Sequence, residues 1–484
     1  MASLTMTRRS GAALLVGLLG LAAPAAAQER VDLLIRGGSV YDGSGGPARL
    51  VDIGVVGDRI TFVGEAPRSM VALRTIDATG LVVAPGFVDP HTHTDGDVRD
   101  PLRRGLAGFL LQGVTTVVIG NDGGGPFDVG ATRATLNRAG IGANAAYLVG
   151  HGTIRRKVMG MASRAPTAAE LDSMRTLVAG AMRAGAFGLS TGLYYAPGSY
   201  AETPEVVELA RVAAAAGGYY DSHIRDESSY TVGLLGAIDE AIRVGREAGI
   251  PIHIAHIKAL GVDVWGKSDE VVARILAARA AGQRVTADQY PYQASGTSVG
   301  ASLLPRWAEA GGRDSLLGRI ADSATRARLK TEMTENMRRR GGAESLLITG
   351  GKWKGKRLSE IATATGAAPI DAALEIIKAG DAGVASFNMS DADIVRFMRQ
   401  DFVVTGSDGS GGHPRKFGTF PKKLREYVLD RGIVTLPRAI QASSAQTAGI
   451  VGLTDRGTLA TGQFADIIVF DSTTIRDRST YEAP

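Results

Sequence analysis

His91 and His93 stand two residues apart in "VVAPGFVDPHTHTDGDV" (Val82 to Val98), where an apolar run ends. Side chains two apart on an extended strand point the same way, so both imidazoles face one point. Paired imidazoles suit a divalent cation, although a bare His-x-His also occurs as an ordinary polar strand end. The chain has seven histidines, and five of them (His91, His93, His223, His253 and His256) lie at or just after the end of an apolar run. Asp408 holds the same place in "VVTGSDG". Nitrogen and oxygen donors of this kind bind zinc or a similar divalent ion. The sequence contains no cysteine, which excludes a thiolate ligand and any disulfide.

Such donors need a scaffold that gathers strand ends. The stretches 111–120, 185–191, 217–224, 250–258, 283–292 and 401–409 read as buried strands. Amphipathic Ala/Arg/Glu-rich stretches, such as 204–217 and 234–249, lie between several of them. Strand–helix alternation over ~350 residues predicts an α/β fold with a parallel sheet, and at that length a (β/α)8 barrel of the TIM type. The carboxyl ends of its strands would converge on one mouth, where such barrels build active sites. Residues 31–65 and 457–471 differ, with short apolar runs broken by Gly and Asp-Gly turn signals. They predict one small β-sandwich built from both chain ends. The expected organisation is a signal peptide at 1–27, the first part of the β-domain at 28–84, the barrel at 85–435, and the last barrel helix with the returning β segment at 436–484.

Residues 1–27 carry Arg8 and Arg9, an apolar stretch from Gly11, and the small-residue run "APAAAQ". That is the order of a secretory signal, with cleavage expected after Ala26 or Ala27. It predicts a periplasmic or secreted protein without stable membrane insertion, and the paired arginines hint at twin-arginine export. Missing cysteine agrees with an oxidising compartment. Hydrophobic residues make up 44% and charged residues 21%, which is ordinary globular composition. The net charge of +5 is scattered; its short clusters, Arg155 to Lys157 and Met337 to Gly342, read as solvated surface. Without a concentrated basic stripe, a nucleic-acid partner is not expected.

"PGFVDPHTHTD", "GVTTVVIGND", "GAFGLSTGLYYAPGSYAET", "YYDSHIRDE", "IPIHIAHIK" and "GSDG…HPRKFGTFPKKL" occur in this order between about Val31 and Asp471. Together they resemble the amidohydrolase superfamily, in its D-aminoacylase (N-acyl-D-amino-acid deacylase) branch. The resemblance implies a barrel with a small β-domain, one or two Zn2+ per chain, and hydrolysis of the amide bond of N-acyl-D-amino acids. It implies that His91 and His93 bind one metal, that His223 and His256 bind a second, and that Asp408 serves beside the first as a metal ligand and as general acid and base. In this branch the second-strand motif usually reads Gly-Asn-Cys-Gly, with a bridging cysteine. Here "GNDGGG" places Asp122 there. Either its two oxygens bridge two ions, or the site holds one tightly bound ion. Relatives of this branch usually continue for a few strands beyond the point where "STYEAP" ends this sequence, so a trimmed C-terminal β-domain or an early end is expected.

The resemblance also implies that Lys258, two residues after His256, binds the substrate carboxylate. Tyr292, ahead of Tyr290, is the expected hydroxyl donor to that carboxylate or to the oxyanion. Arg415, with Lys416 beside it, sits on the loop after Asp408 and is expected either to contact the carboxylate or to serve structure. His151, Arg225, Glu227 and His253 are expected to hold the ligands in orientation. Two other readings stay open: an amidohydrolase acting on a dipeptide, a cyclic amide or an amide toxin, and a catalytically inert metal-binding periplasmic protein. Asp408 speaks against the second, since a binder needs no proton shuttle. Oligomeric state is not readable.

Overall fold

The computed structural model describes residues 30–484; the expected signal peptide lies outside them. Eight parallel strands form one sheet: Phe87–Asp89, Val114–Ile119, Asn144–Gly150, Gly188–Gly192, Tyr219–His223, Ile252–Ile254, Val285–Gln289 and Val403–Thr405. They are called the first to eighth barrel strands below. Neighbours in the chain are neighbours in the sheet, and the seventh pairs with the eighth. A parallel bridge between Thr92 and Gly409 closes the ring just past the ends of the first and eighth strands. There the Asp408 N–H donates to the His91 carbonyl at 2.9 Å, and the His93 N–H to the Gly409 carbonyl at 3.1 Å. Closure itself therefore seats Asp408 beside both histidines.

Helices cover the barrel as the sequence pattern requires. Gly233–Ala248 buries Leu234, Ala237, Ile238, Ala241, Ile242 and Gly245, a stripe of helical period, and stops at Gly249 in the left-handed region with φ 65°. Ala168–Arg183 starts at a reciprocal cap between Thr167 and Glu170. The third strand, in "NAAYLVG", was not among the sequence-predicted strands. Its alanines and leading asparagine carry little β signal, and it is a strand because both neighbours pair with it.

Segments from before and after the barrel meet in the small β-domain. Ile467–Phe470 pairs antiparallel with Val82–Pro85, beside Ser39–Val40 and Arg49–Leu50. A second four-stranded sheet holds Arg30–Arg36, Asp52–Val56, Arg59–Gly64 and Val71–Asp77. Ile35, Val40, Ile53, Ile60, Val83 and Leu459 form the shared core.

Between the seventh and eighth strands the chain makes an unexpected third body. Strands Ala294–Ser298, Leu346–Ile348 and Gly383–Phe387 form an antiparallel sheet packed with helices that include Ser323–Arg339 and Pro369–Lys378. It has its own core, with Leu303, Leu329, Met333, Ile361 and Ile377. It lies within the span 85–435 expected of the barrel.

Candidate metal centre and catalytic pocket

Six side chains from five strand ends meet at the barrel mouth. His91 and His93 follow the first strand, Asp122 the second, His223 ends the fifth, His256 follows the sixth and Asp408 the eighth. Asp122 stands among the imidazoles. Its Oδ1 is 3.4 Å from His91 Nε2 and 3.6 Å from His256 Nε2; its Oδ2 is 3.3 Å from His223 Nδ1 and 3.5 Å from His93 Nε2. These gaps exceed ordinary hydrogen bonds. Two donors bound about 2.0–2.2 Å from one tetrahedral ion lie about 3.3–3.6 Å apart. Both ring nitrogens of His91 and of His223, and Asp122 Oδ1, are buried without a hydrogen-bond partner. Unpaired buried donors at that spacing fit a divalent cation.

The backbone is held in unusual shapes to achieve this. Five non-glycine residues among those described have positive φ, and three of them are Asp122 (54°), His256 (34°) and Asp408 (48°). Such conformations persist only where surrounding structure enforces them. At Asp122 the enforcement is visible: a Cβ on Gly192 would meet the Asp122 carbonyl oxygen at 2.3 Å, so the fourth strand passes directly against the loop.

Asp408 Oδ1 is 3.0 Å from His93 Nε2 and 3.8 Å from His91 Nε2, while Arg415 Nη1 is 2.7 Å from its Oδ2. Burial raises the carboxyl pKa, but Arg415 first, then His256 and His93, hold it well below the usual carboxylate range. Burial pushes His91 down to about 3, against the pull of Asp122. At His256 burial and Lys258 act downward, yet Glu227, Asp408 and Asp122 carry the net shift up to about 10. Glu227 lies 3.1 Å from His256 Nδ1 and 3.8 Å from His223 Nε2, which leaves His256 Nε2 facing the centre.

Lys258 lines the pocket, with Nζ donating to Glu227 Oε1 at 2.6 Å and 2.7 Å from His256 Nδ1. Tyr290, not Tyr292, lines it. The Tyr290 hydroxyl is buried without a partner; Tyr292 packs against His413 and points its hydroxyl at the Pro414 carbonyl. The seventh strand ends at Gln289 and the chain bends at Pro291, between the two tyrosines. Lys416 pairs with Asp97, away from the centre.

The supporting residues divide. Glu227 touches the ligands. His253 does not: it turns to Asp288 (3.0 Å) and Thr286 (2.8 Å). Arg225 clamps Glu240 at 2.8 Å and the carbonyls of Ser199 and Ala201, fixing a loop rather than an imidazole. His151 pairs with Glu205 at 2.9 Å, and Arg155 pairs with the same carboxylate. Their helix supports the Asp122 loop, since the Thr153 N–H donates to the Gly123 carbonyl at 3.0 Å. The two basic clusters expected at the surface each send one arginine inward: Arg155 and Arg340 are both fully buried. Arg340, Tyr194, Tyr195, Tyr230 and Thr297 line the pocket and were not assigned from sequence. The "GLYYAPGSY" stretch was visible, but nothing local distinguishes its pocket tyrosines from packing tyrosines.

A (β/α)8 barrel that gathers imidazole and carboxylate donors at its strand ends defines a metal-dependent hydrolase. The amidohydrolase family model matches residues 74–484, and the chain belongs to that family. It is 36% identical over 480 residues to a D-aminoacylase of Alcaligenes xylosoxydans xylosoxydans, spanning 94% of this chain and 90% of that one. An N-acyl-D-glutamate deacylase of the same organism is 37% identical over 483 residues, 94% and 91% covered. Among solved structures, the N-acyl-D-glutamate deacylase of Bordetella bronchiseptica, complexed with zinc and a phosphonate inhibitor, superposes with TM-score 0.81. It is 33% identical, with 94% of this chain and 93% of that one covered.

Proposed function

We propose that this protein hydrolyses N-acyl-D-amino acids to a carboxylate and a free amino acid, using zinc held by His91, His93, Asp122, His223 and His256. A divalent cation held there would supply the Lewis acidity that acidifies water and polarises a carbonyl. Asp408 carries the reading. Arg415 keeps its carboxylate ionised and oriented, so Oδ1 accepts the proton of the attacking water and returns it to the departing nitrogen. Lys258 and the free hydroxyl of Tyr290 receive the substrate α-carboxylate. The tyrosine-rich pocket wall excludes bulk water from the reacting amide. Similarity to the deacylases above supports this substrate class.

The test is release of free amine from paired N-acetyl-D- and N-acetyl-L-amino acids by the zinc-loaded protein. Turnover of the D-series is expected; silence across both series with metal bound would favour a binding protein. Export is a further part of the proposal, supported by the pattern of residues 1–27. N-terminal sequencing of the exported protein is expected to begin at Ala27 or Gln28, and retention of Met1 would overturn it.

A further inference from the structure

Three buried cations stand at the pocket. Lys258 faces Glu227 and Arg415 faces Asp408, each within 2.7 Å. Among the described residues, no carboxylate pairs with Arg340. Its Nε donates to the Ser302 carbonyl at 3.1 Å and its Nη2 to the Tyr194 hydroxyl at 3.2 Å. The Asn388 amide, turned as its other neighbours require, accepts from Nη1 at 3.2 Å. The titratable groups around it are Tyr230, Tyr194 and Tyr195. A guanidinium stays charged at any ordinary pH, and burying it among neutral dipoles is costly unless an anion joins it.

A second group awaits a partner beside it. The Tyr230 ring lies 5.7 Å from the Arg340 guanidinium carbon, and its hydroxyl is buried without a hydrogen-bond partner. Both side chains line the pocket that contains His93, Asp122, Lys258 and Asp408. Tyr194 and Tyr230 also wall a neighbouring cavity of about 620 Å³, so the pocket wall they form backs onto open space.

We propose that Arg340 and Tyr230 hold a second substrate carboxylate, on the amino-acid side chain, making N-acyl-D-amino acids with acidic side chains the preferred substrates. This rests on the deacylase reading above, in which Lys258 takes the α-carboxylate. Arg340 comes from the insertion between the seventh and eighth strands, so substrate choice is set apart from the metal donors.

The test compares N-acetyl-D-glutamate with its neutral near-isostere N-acetyl-D-glutamine on zinc-loaded wild type, Arg340→Met and Arg340→Lys. Wild type is expected to favour the acid by about 100-fold in kcat/KM, chiefly through KM. Arg340→Met is expected to abolish that ratio, and Arg340→Lys to restore part of it. D-glutamate is expected to raise the melting temperature of wild type more than D-glutamine does, and to lose that advantage in Arg340→Met. Arg340→Lys carries the comparison if Arg340→Met melts early. No wild-type preference for the acid, or an unchanged ratio in both variants, would overturn the inference while leaving the deacylase reading intact. Absence of amine release from every N-acetyl-D-amino acid would defeat that reading, and the inference with it.

Discussion

Asp122 offers one carboxylate oxygen to His91 and His256 and the other to His93 and His223. A single carboxylate shared in this way would serve an ion between His91 and His256 and, as a bridge, another between His93 and His223, which crosses the expected pairs His91/His93 and His223/His256. Elemental analysis is expected to find two metals per chain in wild type and one in Asp122→Ala; an unchanged count would remove Asp122 from the ligand set. Asp408 is a different case, because its Oδ2 belongs to Arg415. Asp408→Asn keeps the shape and removes the proton acceptor. Its kcat is expected to fall about 10³-fold with metal content nearly unchanged. Equal losses of metal and rate would make Asp408 a ligand alone.

At the scale of elements, function depends on where strands stop. The Tyr290 hydroxyl has no protein partner in the pocket, whereas Tyr292 lies past the Pro291 bend. Tyr290→Phe is expected to lower kcat/KM about tenfold, a loss of about 1.4 kcal/mol, and Tyr292→Phe by less than threefold. The reverse order would return the hydroxyl role to Tyr292. The same boundary shows what sequence can carry. His91, His93, His223, His256 and Asp408 were legible because each ends an apolar run, and strand ends converge in a barrel. Arg340 was not: in "MRRRGG" three neighbouring arginines look alike, and only the long-range fold buries one of them against Tyr194 and Ser302. His253 was ambiguous for a related reason. It lies on the strand that leads to His256, and its partner Asp288 arrives from the next strand.

Across the whole molecule, buried ionisable groups tie stability to pH. Lys423 donates to the Thr405 hydroxyl inside the protein; burial, with help from Arg438, pushes its ammonium down to about 7 although Asp288 pulls the other way. The unfolded chain keeps that proton to about 10.5. Between these values the unfolded state binds more protons, so this group makes stability rise with pH, by at most about 1.4 kcal/mol per unit. Below about 7 both states are protonated and the slope vanishes. Denaturant midpoints at pH 7 and pH 10 are expected to show a smaller rise in Lys423→Met than in wild type; parallel curves would contradict this. The small β-domain raises a separate expectation. Ile467–Phe470 pairs with Val82–Pro85, immediately ahead of the first barrel strand. Deleting residues from Ile467 onward strips a strand from the sheet that leads to His91 and is expected to lower the melting temperature by several degrees.

Zinc-edge anomalous diffraction from crystals of the zinc-loaded protein places the ions without reference to any substrate. Two peaks flanking the Asp122 carboxylate are expected, each about 2.0–2.2 Å from donors among His91, His93, His223 and His256. Diffraction that shows no ion within bonding reach of these side chains, in protein that cleaves N-acyl-D-amino acids, would contradict the metal-dependent mechanism set out here.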